Sequence, residues 1–207
     1  MKIDKLSIDG KKQSIEVLDK IFSAKVNNQL VSGVIYKLNA NFKGRKAKTK
    51  QRNEITGSTS KIYSQKGTGN ARHSSKKAPI FVGGGIAHGP KGEDNYKTRK
   101  LNKSEKKMSI ASLITEKNKS NNVIIFEDFI KKIEKTKEMF ELLKKFDAKN
   151  SLLILDTKSK DNILRSTKNI PNVKLTDSNH FSAFDLVKYK KIIFTESSVK
   201  ELEKRYQ

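Results

Sequence analysis

The chain contains no cysteine, and that absence removes a disulfide framework, thiolate zinc sites and a cysteine nucleophile together. Histidine is scarce. His73 and His88 stand fifteen apart with no further ligand near them and His180 is remote, a spacing that argues against a metal site. No run of eighteen apolar residues occurs, so no bilayer span and no membrane partner are expected. Behind Met1 the acids Asp4, Asp9 and Glu16 replace the apolar core of a signal peptide and the acid-poor character of a transit peptide, so a soluble cytoplasmic protein is the expectation. Acids are also few overall, 22 against 45 Lys and Arg, for a formal net charge of +23. A surface of that sign gathers polyanions.

The imbalance is concentrated. Residues 43–107 carry 18 Lys or Arg against Glu54, Glu93, Asp94 and Glu105, a net +14, and hold nine of the eleven glycines and two of the three prolines. Only Ile55, Ile62, Tyr63, Ile80, Phe81, Val82, Ile86, Tyr96 and Leu101 in this stretch could supply a core. So little apolar surface does not offset the entropy of ordering the backbone, and the stretch is expected to be disordered alone and ordered against a partner. Its glycines would let the chain lie directly on that partner.

The remainder is periodic. Lys2 to Ile8 and Gln13 to Leu18 flank Asp9-Gly10 and predict a hairpin. Leu30, Val31, Val34, Ile35, Leu38 and Phe42 share one helical face, with Asn27 or Asn28 as N-cap. Ser104 is placed to cap a helix to about Lys119 that buries Met108, Ala111 and Ile114. Strands over 123–126, 152–155, 173–175 and 192–194 then alternate with helices over 136–146, 159–168 and around 183–187, and a last helix follows Thr195. In these helices Met139, Phe140, Leu142, Leu143 and Phe146, and then Ile163 and Leu164, are expected to face inward. Such alternation predicts an α/β fold, a mainly parallel sheet with helices on both faces. The domain expected is 1–42 with 104–207, interrupted by an extended loop at 43–103.

Enzymatic signals fail on context. Gly67-Thr68-Gly69 has Arg72 where a dinucleotide-binding turn needs its third glycine, and no GKS or GKT is present. Ile80 to Gly85 continues into Ile86-Ala87-His88-Gly89-Pro90, which cannot open a helix. Asp156 sits at a predicted strand end, where α/β enzymes place catalytic groups, but a cap or turn carboxylate is the expected role. No nucleophile, base and orienter can be assembled, so no catalytic residue, cofactor, metal or small-molecule substrate is expected.

Basic charge with glycine and sparse aromatics does cohere, as a nucleic-acid surface. Lys43, Arg45, Lys46, Lys48, Lys50 and Arg52 lead into the stretch, Lys61, Lys66, Arg72, Lys76 and Lys77 occupy its middle, and His88, Lys91, Lys97, Arg99 and Lys100 lead out. Amides at Gly67, Gly69, Gly83, Gly84 and Gly85 are candidates for phosphate oxygens, while Tyr63, Phe81 and Tyr96 could stack on unpaired bases. Rival readings are an RNA-modifying or nucleotide-dependent α/β enzyme with a basic guide loop, and a nonspecific DNA-compacting protein.

The run Ser64-Gln65-Lys66-Gly67-Thr68-Gly69-Asn70-Ala71-Arg72, then Gly83-Gly84-Gly85, Gly89-Pro90-Lys91 and Asn95-Tyr96-Lys97, resembles the signature of the bacterial family of the fourth large-subunit ribosomal proteins. The likeness extends along the whole chain. It implies a Rossmann-like three-layer domain on the outside of the large subunit, with a loop threading inward through ribosomal RNA, in a primary RNA binder that acts early in assembly. It also implies neighbouring ribosomal proteins as partners, and a tip at Gln65, Lys66, Gly67, Thr68 and Gly69 that lines the exit tunnel and meets the nascent polypeptide. One departure lies before the tip, where Gly57 to Ser64 replaces the family's Gly-rich, Pro-aromatic-Arg pattern, with Tyr63 in the aromatic place and no cation at Ser64.

Overall fold

A computed structural model describes residues 1–7, 12–130 and 132–206. Strand β1 (Lys2–Leu6) pairs antiparallel with β2 (Lys12–Glu16), and the expected Asp9-Gly10 turn falls outside the described residues. There follow α1 (Asp19–Phe22), α2 (Asn28–Lys43), α3 (Lys103–Lys119), β3 (Val123–Phe126), α4 (Thr136–Lys145), β4 (Ser151–Leu155) and α5 (Thr157–Thr167). The chain ends with β5 (Val173–Asp177), α6 (Ala183–Lys188), β6 (Lys191–Thr195) and α7 (Glu196–Tyr206). The sheet runs β2-β1-β3-β6-β4-β5, and every pairing but β1 with β2 is parallel. No helix among the described residues is long and apolar enough to cross a membrane.

Side chains alternate across the strands and so create two interiors. Ile125, Leu152, Ile154, Ile192 and Phe194 face one way and pack with α1, α2, α3, α6 and α7. Phe126, Leu153, Leu155 and Ile193 face the other and pack with Met139, Leu142 and Leu143 of α4 and Ile163 of α5. That is a three-layer α/β sandwich. Every residue of β4 is buried, as expected of a parallel strand covered on both faces.

Local chemistry sets the helix ends, with some revisions. Asn27 Oδ1 accepts the Leu30 amide at 3.1 Å at the start of α2. Asn102, not Ser104, is the N-cap of α3, and its side chain makes no capping bond. Asp156 caps α5 by accepting the Ser159 amide at 3.3 Å, which is the non-catalytic reading of that residue. Ser182 and Asp185 close a reciprocal capping box on α6. Helix α1 carried no periodic signal, being a single turn. It exists because Ile21 and Phe22 are buried and Thr115 of α3 binds the Ile21 carbonyl at 3.1 Å and the Ala24 amide at 3.0 Å.

Four expected core residues lie outside. Phe42 is 92% exposed, Met108 55%, Phe140 43% and Leu164 41%. Phe140 and Leu164 adjoin the buried Met139 and Ile163, and one residue along a helix turns the side chain by about 100°, out of the covered stripe.

The carboxyl edge of the sheet, where open α/β sheets bind ligands, is spanned by ion pairs. Lys5 Nζ, nearly buried, lies 3.0 Å from Glu196 and 3.8 Å from Glu127, and Glu196 also holds Lys200 at 2.8 Å. Asp128 accepts both the amide and the hydroxyl of Ser197, and Asp177 meets Lys160 at 3.0 Å. The hydrogen bonds from Lys200 and then Lys5 hold the Glu196 carboxyl below its ordinary 4.5. A carboxyl lowered on folding stabilises the fold above its unfolded value, and that contribution is lost as pH falls through the folded value. Glu196→Gln is therefore expected to flatten the urea midpoint against pH below about pH 4.5, by roughly 1 kcal/mol or less because the cluster is partly exposed. An unchanged acid limb would show that the pairing contributes nothing.

Candidate nucleic-acid interface

By backbone proximity the chain divides into a unit of Met1–Asn39 with Lys100–Gln207 and a second unit, Ala40–Arg99. The expected limits were 43 and 103. The difference arises because the last turn of α2 belongs with the arm: Asn41 Nδ2 donates to the Arg99 carbonyl at 2.9 Å and the Arg99 amide returns 2.7 Å to Asn41 Oδ1. Tyr96 adds a hydroxyl bond to the Ala40 carbonyl at 2.8 Å. One amide side chain thus buckles the two ends of a segment of about 60 residues.

Beyond the buckle the strands of the arm run antiparallel without forming a regular sheet. The Gly92 amide meets the Ala47 carbonyl at 2.9 Å, Thr49 meets Pro90 at 2.8 Å, and Ile86 meets Lys50 at 2.9 Å. A second approach joins the Ile62 amide to the Ser74 carbonyl at 2.9 Å. No apolar side chain between 40 and 99 is among the buried core, whereas Ser75 is 1% exposed and takes a 3.3 Å bond from Arg52 Nη2. The small interior of this unit is backbone and hydroxyl, not hydrocarbon.

Glycine has two separate uses here. A Cβ at Gly85 would stand 2.2 Å from the Arg52 amide nitrogen, one at Gly84 2.0 Å from the Ala78 carbonyl oxygen, and one at Gly89 2.1 Å from Thr49 Oγ1. These three are taken up inside the arm, which corrects the expectation that Gly84 and Gly85 offer their amides outward. The Gly84 amide donates to Phe81 at 2.9 Å and that of Gly85 to Lys77 at 3.1 Å. Gly67, Gly69 and Gly83 instead have positive φ (87°, 67° and 80°) with open space around them.

The aromatic residues are also committed. His73 meets Phe81 edge-on with centroids 4.8 Å apart and Tyr63 at 6.4 Å, and the Tyr63 hydroxyl donates to the Ala71 carbonyl. Tyr96 is half-buried at the buckle. Each of Tyr63, Phe81 and Tyr96 thus has a partner within the arm, through a ring edge or a hydroxyl. Sequence spacing carried no sign of this, since the partners lie 8 to 56 residues away.

The cations stay outside. Lys43, Arg45, Lys46, Lys50, Lys61, Lys66, Arg72, Lys76, Lys91, Lys97 and Lys100 are exposed, as is Gln65 with Thr68 at the tip. Among the described residues Lys50, Lys66, Arg72, Lys76 and Lys97 have no carboxylate at ion-pair distance. Lys48 pairs by backbone with Lys91, and Arg45, Lys46, His88 and Lys91 line a recess of 480 Å³ with Gly89, Pro90 and Gly92. Packing that holds backbone inward and turns cations outward makes a surface for phosphates.

A model of the ribosomal protein L4/L1 family matches residues 15–205. The chain belongs to the ribosomal protein L4/L1 family. It is 74% identical over 206 residues, the full length of both chains, to the large ribosomal subunit protein uL4 of Pelagibacter ubique. It is 34% identical over 206 residues to that of Clostridium botulinum strain Okra, covering 99% of this chain and 98% of the relative. The uL4 protein of Lachnospira eligens is 32% identical over 201 residues, covering 97% and 96%. L4-family membership thus spans both the sandwich and the arm.

Proposed function

We propose that the arm 40–99 is the ribosomal-RNA-binding element of this chain, engaged early in large-subunit assembly, with Gln65 to Gly69 lining the exit tunnel beside the nascent polypeptide. The chain is a structural protein of the large ribosomal subunit, not an enzyme, and resides with ribosomal RNA and other ribosomal proteins in the cytoplasmic ribosome. One observation supports the arm's role above all: its exposed lysines and arginines, most without acidic partners, sit on a backbone that has no hydrophobic core of its own. Such a segment gains most of its order from phosphate contacts, which position a protein on RNA without reading sequence. The sandwich supplies the anchor, since its carboxyl edge is spanned by ion pairs rather than open to a ligand.

The test replaces residues 44–99 with a short Gly-Ser linker and follows the chain through sucrose gradients from growing cells. The full chain is expected in the large subunit and the shortened one among free proteins, with its sandwich still folded by circular dichroism. Equal incorporation of both would overturn the arm's role. Crosslinks from Lys66 to a ribosome-bound nascent peptide are expected if the tip lines the tunnel, and their absence in assembled subunits removes that part.

A further inference from the structure

A groove of 510 Å³ opens on the arm between the 55–62 and 76–83 segments, and its lining mixes hydroxyls of Thr56, Ser58 and Ser60 with apolar and cationic side chains. Ile55, Ile62 and Val82 form an apolar wall, while Lys61, Lys76 and Lys77 stand along it. Val82 is 107% exposed and Ile80 in the same turn 69%, so hydrocarbon is displayed in the most cationic part of the chain. Gly83 turns the groove's edge at φ 80° with no atom near its Cβ position, and Gly57 on the opposite edge has only the Lys77 side chain there, at 3.7 Å.

Phosphate binding alone does not account for the apolar wall, because a phosphodiester gains nothing from contact with Val or Ile. A ligand that is flat and apolar on one part and anionic on another does, and an unpaired nucleotide has that form. The aromatic side chains nearby, Tyr63 and Phe81, meet His73 edge-on and do not line this groove. We infer that this groove seats one unpaired, extruded nucleotide of the ribosomal RNA, its base against Ile55, Ile62 and Val82 and its flanking phosphates on Lys61, Lys76 and Lys77. The charge complementarity selects RNA over a protein segment, and the apolar wall selects an unstacked base over a duplex backbone. This rests on the arm's RNA-binding role and adds to it a place where the arm meets a base.

The experiment introduces a benzophenone amino acid at Val82, whose full exposure makes the change harmless to folding, and irradiates large subunits purified from cells. Reverse-transcription stops are expected at one nucleotide that is unpaired in the ribosomal RNA. Crosslinks to base-paired RNA, to a ribosomal protein, or to nothing in subunits that contain the chain would overturn the inference and leave the arm's wider role standing. Failure of the unmodified chain to enter subunits would instead defeat that wider role. Should the benzophenone block assembly, Val82→Ser subunits are probed by 2′-hydroxyl acylation, where a gain in reactivity confined to one unpaired nucleotide is expected. An unchanged profile rejects the groove as its seat.

Discussion

Raising salt from 50 to 200 mM is expected to weaken binding of this chain to large-subunit ribosomal RNA by about 10³- to 10⁵-fold, the loss that accompanies six to ten neutralised phosphates. The stretch 43–107 offers 18 cations, and Lys50, Lys66, Arg72, Lys76 and Lys97 stand exposed with no carboxylate of the described residues at ion-pair distance. If ten of them meet phosphates, the logarithm of the binding constant falls with a slope of roughly 7 to 9 per decade of salt. Exposed lysines with no ion pair to break on meeting RNA contribute their counterion release in full. Replacing Lys50, Lys66 or Lys76 with Gln should each reduce the slope by about 1. Filter binding across a salt series measures both. A slope shallower than about 3 would mean that the arm's charge is not what holds the RNA.

The largest expected loss of stability lies in the sandwich. Phe194 is fully buried in β6, paired in register with Ile125 of β3 and Ile154 of β4, and its ring meets Phe22 edge-on at 6.1 Å. Phe194→Ala is expected to cost about 3–5 kcal/mol, from lost transfer energy and the cavity left between strand and helix. Against a total of roughly 5–15 kcal/mol for a domain, that leaves a marginal fold. Phe42→Ala supplies the contrast, since a ring 92% exposed contributes little and its removal should stay within about 0.5 kcal/mol. Urea unfolding of both variants decides the matter. Similar losses in the two would contradict the assignment of the core.

The same pair shows how far residue pattern reaches. Both phenylalanines fall on apolar faces at regular spacing, and spacing alone reads them alike. Periodicity reports which side chains share a face, whereas burial depends on whether another layer extends over that face. β6 lies in mid-sheet with layers on both sides, while Phe42, in the last turn of α2, has no layer over it and is 92% exposed. Met108, Phe140 and Leu164 are likewise exposed, next to the buried Ser109, Met139 and Ile163 of the same helices.

In the arm the division is sharper. Charge, glycine content and the run Gln65 to Arg72 were legible without coordinates, because they are properties of composition and of short motifs. The ladder between 47–50 and 86–92, the Asn41 buckle and the groove lined by Ile55, Ile62 and Val82 were not. Their partners lie tens of residues apart, in stretches with neither period 2 nor period 3.6 to register them. Gly84 and Gly85 could equally have faced a partner or the chain itself, and only the Ala78 carbonyl and the Arg52 amide beside them show which.

By itself, then, the order of residues determined an α/β sandwich with an inserted cationic arm, since hydrophobic period, strand length and local charge act between near neighbours. Tertiary structure decided which apolar residues are covered, which glycines are spent on internal contact, and where on the arm an apolar wall meets lysines. Those outcomes depend on surfaces brought together from distant parts of the chain, and no local pattern encodes them.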